Sequence, residues 1–92
     1  MPLTHRLKRL RFRAEHRGTK EADMIVGGFF AAHSAGWSEA EVAWYEALMD
    51  EQDVDILAWA LAAADVPAQW QGDMMTRLQR LDYVPVTGRP QK

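Results

Sequence analysis

The sequence predicts an all-α protein, folded as one small bundle of about five short helices. Apolar residues recur at spacings of three and four along most of the chain, as they do on one face of a helix. No run of alternating apolar and polar residues bounded by turn signals occurs, so we predict no strand. A chain of 92 residues with 48% hydrophobic residues can bury one modest core, and the absence of cysteine excludes disulfides, zinc–thiolate sites and iron–sulfur clusters.

The first predicted helix is amphipathic and basic. Its apolar stripe consists of Leu3, Leu7, Leu10 and Ala14. Thr4 is a candidate N-cap and Gly18 a candidate C′ residue. Basic amphipathic helices also occur in transit peptides, at membrane surfaces and in nucleic-acid-binding proteins. We favour a helix packed into the fold, because it continues directly into Arg17-Gly18 and leaves no room for a cleavable region.

Charge is strongly segregated along the chain. Residues 1 to 20 carry seven Lys or Arg and one carboxylate, whereas residues 21 to 73 carry eleven carboxylates and no Lys or Arg. The net charge of −2 therefore conceals two opposite poles. Such a pattern predicts that charge steers docking and fixes the register with a partner more than it supplies affinity.

The second predicted helix runs from Glu21 to about His33, with Thr19 able to cap its start. Its buried face comprises Ala22, Ile25, Val26, Phe29, Phe30 and Ala32. Gly27 and Gly28 interrupt it, at a cost of about 1 kcal/mol each relative to alanine. That cost indicates either the close approach of another helix or a local kink, and the sequence does not choose between them.

Capping signals define the third and fourth helices. Ser38 and Glu41 predict a capping box, so a third helix should run from there to about Asp50. Asp53 is the candidate N-cap of a fourth helix, which Pro67 limits. The inward residues of this fourth helix are predicted to be Ile56, Leu57, Ala60, Leu61 and Ala64, with Trp59 beside them.

The fifth predicted helix runs from about Ala68 to Leu81. Two prolines and a glycine follow, so residues 84–92 are predicted to form a flexible tail behind a helical domain of residues 1–83.

Signals for catalysis or metal binding are poor. The three histidines are scattered, no His or Glu pair has metal-ligand spacing, and no Gly-rich loop joins a strand to a helix to hold a phosphate. Ser34 and Ser38 are explained by helix termination and capping. Asp53 and Asp55 stand where a helix N-terminus favours carboxylates, although Asp55 could also contact a partner.

Two motifs together resemble the succinate dehydrogenase FAD assembly factor family, called SdhE in bacteria. Arg17-Gly18-Thr19-Lys20-Glu21 alone is a weak motif and is more typical of a simple turn between helices. Its spacing to Asp53-x-Asp55-x-x-x-Trp59, the chain length and the all-α prediction make the resemblance specific, and it extends from about Leu7 to Leu81. Further residues that carry it are Phe12, His16, Asp23 and Phe29, with the region around Leu48.

The resemblance implies a chaperone that binds the immature flavoprotein subunit of succinate dehydrogenase, or of fumarate reductase, and promotes covalent FAD attachment. The chain would be non-catalytic and would hold no FAD stably, because the bond between a histidine and the flavin 8α carbon forms in the target. The implied partner-binding residues are Arg17, Gly18, Glu21, His16, Phe12, Asp23 and Asp55. The lack of a signal peptide or membrane span in the sequence predicts the bacterial cytoplasm, or a mitochondrial matrix after removal of a presequence. We further expect a monomer that binds no nucleic acid and does not insert into a membrane.

Two alternatives stay open at this point. One is a toxin–antitoxin component, and the other is a nucleic-acid-binding module that uses the first helix and would show steep salt dependence. Under the favoured interpretation, replacing Arg17 by Ala or Gly18 by Arg is expected to leave the fold largely intact and to abolish partner binding.

Overall fold

Five helices make up the structure, a computed structural model that describes residues 3–84. They are α1 (Leu3–Glu15), α2 (residues 20–33, in three successive segments), α3 (Glu39–Leu48), α4 (Asp53–Ala60) and α5 (Asp73–Gln79), with short 3₁₀ turns at Ser34–Gly36 and Ala68–Trp70. Residues 3–84 contain no strand, so the predicted all-α class is confirmed. None of these helices combines the length and apolar character needed to cross a membrane.

The core lies where the apolar faces of the five helices meet. Its largest fully buried side chains are Tyr45, Phe29, Leu10, Leu48, Ile56, Leu78, Val26 and Val42. The one hydroxyl in this set is satisfied, because Tyr45 Oη donates a hydrogen bond of 2.7 Å to the carbonyl of Val26. Burial raises the pKa of Tyr45, so the phenol keeps the proton that it donates. This bond ties α3 to the middle of α2.

Helix α2 changes its winding where it passes α1. Thr19 caps its start by accepting a hydrogen bond of 3.1 Å from the Ala22 N–H, as predicted. A π-helical segment, Asp23–Gly27, then separates the α-helical segments Lys20–Ala22 and Gly28–His33. A Cβ on Gly27 would lie 2.9 Å from the carbonyl oxygen of Ala14. Both explanations left open for the glycine pair therefore apply here, since irregular winding and close helix approach coincide.

The predicted end of the fourth helix at about Ala64 is wrong. Helix α4 ends at Ala60, and Ala62 adopts a left-handed conformation with φ of 55°. The Ala62 N–H bonds to the carbonyl of Trp59 and the Ala63 N–H to that of Ala58, which is the Schellman pattern. Because this stop uses alanine in place of the usual glycine, the sequence did not signal it. Leu61 and Ala64 consequently lie outside the helix and are exposed.

Three further boundaries differ from the predictions. Thr4 lies inside α1, because the helix already includes Leu3. The predicted fifth helix is divided by Gly72, whose φ of 139° separates the 3₁₀ turn from α5. Val84, the first residue of the predicted tail, is buried in the core, and the rest of that tail, residues 85–92, lies outside the described residues.

The basic helix packs along the acidic one. Arg6 Nη2 lies 2.7 Å from Glu46 Oε1, so this ion pair joins α1 to α3, and Arg13 Nη2 lies 2.8 Å from Asp50 Oδ1 in the loop that follows α3. Its hydrogen bond with Arg6 lowers the pKa of Glu46. The two poles of the sequence therefore meet, at least in part, within the molecule.

The Glu46 pair predicts a pH dependence of stability. A depressed pKa in the folded state stabilises the protein above the unfolded pKa, and this contribution is lost as pH falls through the folded pKa. We expect the urea midpoint to fall between about pH 7 and about pH 3, and to fall less steeply in Glu46→Gln. Asp65→Asn, at an exposed loop position, should retain the wild-type profile. An identical profile for Glu46→Gln would contradict the assignment.

The contact at Gly27 predicts a large effect of one methyl group. Gly27→Ala should lower the free energy of unfolding by about 1–3 kcal/mol, because the new Cβ would meet the rigid backbone of Ala14. Gly36→Ala is the matched control, since a Cβ there would have no neighbour within 4 Å. Urea denaturation of the three proteins measures the difference. Equal midpoints for Gly27→Ala and wild type would show that the helices can separate without cost.

Candidate functional site

The connection between α1 and α2, residues 16–19, and the first two residues of α2, Lys20 and Glu21, form an exposed corner, called here the α1–α2 corner. Helix α1 ends at Glu15, and Gly18 reverses the chain direction with φ of 112°. A Cβ at Gly18 would have no atom within 4 Å, so the backbone lies open on this side. Thr19 then begins α2 as its N-cap. The corner is thus fixed from both sides by local backbone geometry.

Arg17 ties this corner to the rest of the fold. Its backbone N–H donates to Asp23 Oδ1 at 2.8 Å, and its Nε donates to Asp53 Oδ1 at 2.8 Å. The two terminal nitrogens reach the carbonyl oxygens of Met49 and Glu51, each at 3.3 Å. Only 11% of the side chain is exposed. The guanidinium is therefore engaged within the molecule, where it joins α1 to the loop after α3 and to the start of α4.

These contacts correct two expectations. Asp53 is the first residue of α4 and not its N-cap, which is Gln52, and its carboxylate serves Arg17. The expectation that Arg17→Ala would leave the fold largely intact does not agree with a guanidinium that holds three segments together. Gly18→Arg would likewise place a side chain at a left-handed φ that residues other than glycine rarely adopt.

An aromatic pair extends the corner along α1. Phe12 is 65% exposed, and its ring stacks on that of His16 with centroids 4.1 Å apart. His16 Nδ1 lies 2.7 Å from the Phe12 carbonyl oxygen. Because a carbonyl oxygen can only accept a hydrogen bond, Nδ1 of His16 carries the proton. Nε2 takes no part in this contact and stays available for others. The imidazole thus holds the exposed phenyl ring in place.

Glu21 supplies the accessible negative charge of the corner, beside the exposed Lys20. The residue is exposed in the first turn of α2, and its carboxylate makes no hydrogen bond or ion pair with any residue of the described range 3–84. It is thus available to an external donor.

The predicted site residues fall into two groups. The α1–α2 corner brings together His16, Arg17, Gly18, Glu21 and the supporting Asp23, with Phe12 one turn away on α1. Asp55 is exposed on α4, two residues after Asp53. Residues two apart do not share a helix face, so α4 presents Asp55 away from the Arg17 contact.

Other contributors were missed from the sequence. They are the backbone carbonyls of Met49 and Glu51 and the Asp53 carboxylate. Asp53 lies 36 positions from Arg17, and no local pattern in the sequence links the two. Within residues 3–84, no group of three His, Asp or Glu side chains could hold a metal ion.

Comparison with known proteins shows the family to which the chain belongs. Residues 8–82 match the family described as flavinator of succinate dehydrogenase. The chain belongs to this flavinator family. The match includes all seven residues predicted to bind a partner, and it agrees with the extent of the resemblance seen in the sequence.

Named relatives of this flavinator family member occur in bacteria and in eukaryotes. It is 32% identical over 76 residues to the "FAD assembly factor SdhE" of Acetobacter pasteurianus, covering 83% of this chain and 70% of the relative. It is 32% identical over 77 residues to the "Succinate dehydrogenase assembly factor 2, mitochondrial" of Debaryomyces hansenii, covering 80% of this chain and 54% of that protein. The protein of the same printed name from Saccharomyces cerevisiae is 29% identical over 79 residues, covering 83% of this chain and 49% of that protein. The chain thus spans about half the length of these two mitochondrial relatives.

The contacts of Arg17 predict a structural penalty for its removal. Arg17→Ala should lower the free energy of unfolding by about 2–3 kcal/mol, because Asp53 and two carbonyls lose a partly buried donor. Arg13→Ala is the matched control. Its ion pair with Asp50 is exposed, with side-chain exposures of 42% and 74%, and should contribute at most about 1 kcal/mol. Urea denaturation of both variants makes the comparison, and equal losses would contradict the assigned role of Arg17.

Proposed function

We propose that this flavinator family member binds the immature flavoprotein subunit of succinate dehydrogenase and promotes covalent attachment of FAD to it. Two findings support the proposal. One is the family match over residues 8–82, and the other is the names of the relatives, which are FAD and succinate dehydrogenase assembly factors. The proposal includes the flavoprotein of fumarate reductase, which the sequence resemblance also implies.

The single structural observation on which the proposal rests is the geometry of the α1–α2 corner. Gly18 offers open backbone and Glu21 offers an unpaired carboxylate, while Arg17 fixes both from behind through Asp53 and two carbonyls. A surface that is already ordered pays less entropy when it binds. We therefore assign Gly18 and Glu21 to direct contact, and Arg17 and Asp23 to positioning.

The aromatic pair enlarges this surface. Exposed aromatic residues are frequent anchors of protein interfaces, and Phe12 is 65% exposed beside the corner. His16 holds the ring by stacking and presents Nε2 next to it. We assign both residues to the contact, and Asp55 to its periphery, because α4 carries it on another face.

We place FAD in the partner and assign no catalytic residue to this chain. Dinucleotide sites commonly use a Gly-rich turn between a strand and a helix, and residues 3–84 contain no strand to build one. FAD supplies the electrophilic 8α carbon of the covalent bond, and the histidine that bonds to this carbon belongs to the flavoprotein. The role left to the chain is to hold the immature partner in a conformation where this reaction proceeds.

Localisation and assembly complete the proposal. We propose a monomer that acts in the bacterial cytoplasm, in line with the bacterial relative, whereas the mitochondrial relatives would place it in the matrix. The nucleic-acid alternative loses support because Arg6, Arg13 and Arg17 on or beside α1 are engaged with carboxylates of the same chain. No observation favours a toxin–antitoxin role.

The test uses a strain that lacks this protein. The flavoprotein subunit is run on a denaturing gel and its covalent flavin is read by fluorescence, with wild-type protein or a variant restored. We expect wild type to restore the flavin band and Glu21→Gln to reduce it at least about tenfold, because the corner loses its exposed carboxylate. Glu39→Gln, which alters a carboxylate 83% exposed on α3, should restore the band fully.

Three results would be decisive. A flavin band that is unchanged without the protein would overturn the proposed function. Full restoration by Glu21→Gln would leave the function standing and remove the corner as its working surface. Equal loss with Glu21→Gln and Glu39→Gln would attribute the effect to general surface charge.

A further inference from the structure

An apolar groove lies between α2 and α4, directly beside the α1–α2 corner. It encloses about 200 Å³. Its walls are the apolar side chains of Met24, Ile25, Leu57, Leu61, Leu81 and Val84, and Glu21 stands at its rim. A cavity of about 150 Å³ accepts a benzene-sized group in another protein, so the groove has room for an apolar side chain.

Helix α4 exposes more apolar surface than its packing requires. One face, with Ile56 and Ala60, is buried in the core. A second line of apolar residues consists of Val54 and Leu57 on α4, three positions apart, and Leu61 directly after the end of the helix. Val54 is 69% exposed and Leu61 is 43% exposed. Helix α4 thus has two apolar sides, and residues 3–84 cover the second one only in part, at Leu57.

The rim of the groove is acidic. Glu21 lines it, its carboxylate is unpaired within residues 3–84, and no Lys or Arg is among the lining residues. An unpaired carboxylate at the edge of an apolar surface is complementary to an apolar side chain that is followed by a cationic one. The chemistry of the groove therefore favours an amphipathic, basic segment.

We propose that the groove between α2 and α4 is a docking site for an amphipathic segment of the flavoprotein partner. An apolar side chain of that segment lies against Leu57 and Leu61, and a neighbouring Lys or Arg pairs with Glu21. The inference rests on the proposed function and extends it, because Glu21 belongs both to the α1–α2 corner and to the groove. The partner surface would thus run continuously from the corner onto α4.

The first measurement compares two surface leucines. The probe is the purified flavoprotein subunit without FAD, and its Kd for the full-length chain is measured by calorimetry. Leu61→Asn should raise Kd about tenfold, because its side chain would be buried in the complex. Leu3→Asn is the matched control, since Leu3 is 38% exposed against 43% for Leu61 and lies on α1 away from the groove. Leu3→Asn should change Kd less than about twofold.

The second measurement separates the apolar contact from the ionic one. Glu21→Gln should raise Kd and flatten its dependence on salt concentration, because it removes the proposed ion pair. Leu61→Asn should raise Kd and keep the wild-type salt dependence. Thermal unfolding of each variant verifies that the folded state is retained, with midpoints expected within about 3 °C of wild type.

Two alternative occupants of the groove are tested in the same set of experiments. The chain itself continues from Val84, and if its own end filled the groove, Val86→Asn in the full-length chain would tighten binding of the flavoprotein. A second copy of the chain would appear as a dimer in sedimentation that Leu61→Asn dissociates. We expect neither effect, and either one would overturn the assignment of the groove to the flavoprotein.

The outcomes distinguish this inference from the function on which it rests. If wild type binds the flavoprotein, Glu21→Gln weakens binding and Leu61→Asn does not, the groove assignment fails and the proposed function stands. If Leu61→Asn and Leu3→Asn weaken binding equally, the groove has no special role and the assignment also fails. If wild type does not bind the flavoprotein at all, both fail together.

Discussion

The guanidinium of Arg17 is the interaction on which the site depends. It is nearly buried, so its desolvation costs free energy. Hydrogen bonds to Asp53 and to the carbonyls of Met49 and Glu51 offset that cost. These partners lie in the loop after α3 and at the start of α4, far from α1 in the chain. The exposed residues Gly18 and Glu21 are therefore held by contacts that lie behind them.

Opposite charges in the sequence serve first to assemble the bundle. Arg6 joins α1 to α3, Arg13 joins α1 to the loop after α3, and Arg77 joins α5 to Glu41 at the start of α3. Glu41 also completes the capping box with Ser38, and hydrogen bonding to the Ser38 N–H lowers its pKa. Acidic α3 thus forms the common partner of arginines from α1 and α5. The carboxylate of Glu21 stays outside this arrangement and is left for an external contact.

Close packing at Gly27 connects the core to the surface. The missing side chain lets α2 approach the backbone of Ala14, and the π-helical segment Asp23–Gly27 accommodates that approach. The corner between α1 and α2 is formed just before this crossing. Beyond it, Met24 and Ile25 face Leu57 across the apolar groove. The crossing therefore helps to set the position of both surfaces to which we assign a partner.

The sequence by itself determined the elements whose causes are local. Helix periodicity predicted all five helices, and the caps formed by Thr19 and by Ser38 with Glu41 involve residues three apart, so both could be predicted. The motif at Arg17–Glu21 was sufficient to recognise the family only in combination with Asp53-x-Asp55-x-x-x-Trp59 at its spacing. Only the tertiary structure decided that Arg17 binds Asp53, that α4 ends at Ala60 before the left-handed Ala62 and that an apolar groove adjoins Glu21. Contacts between residues more than 30 positions apart depend on how the helices pack, and a left-handed alanine carries no local signal.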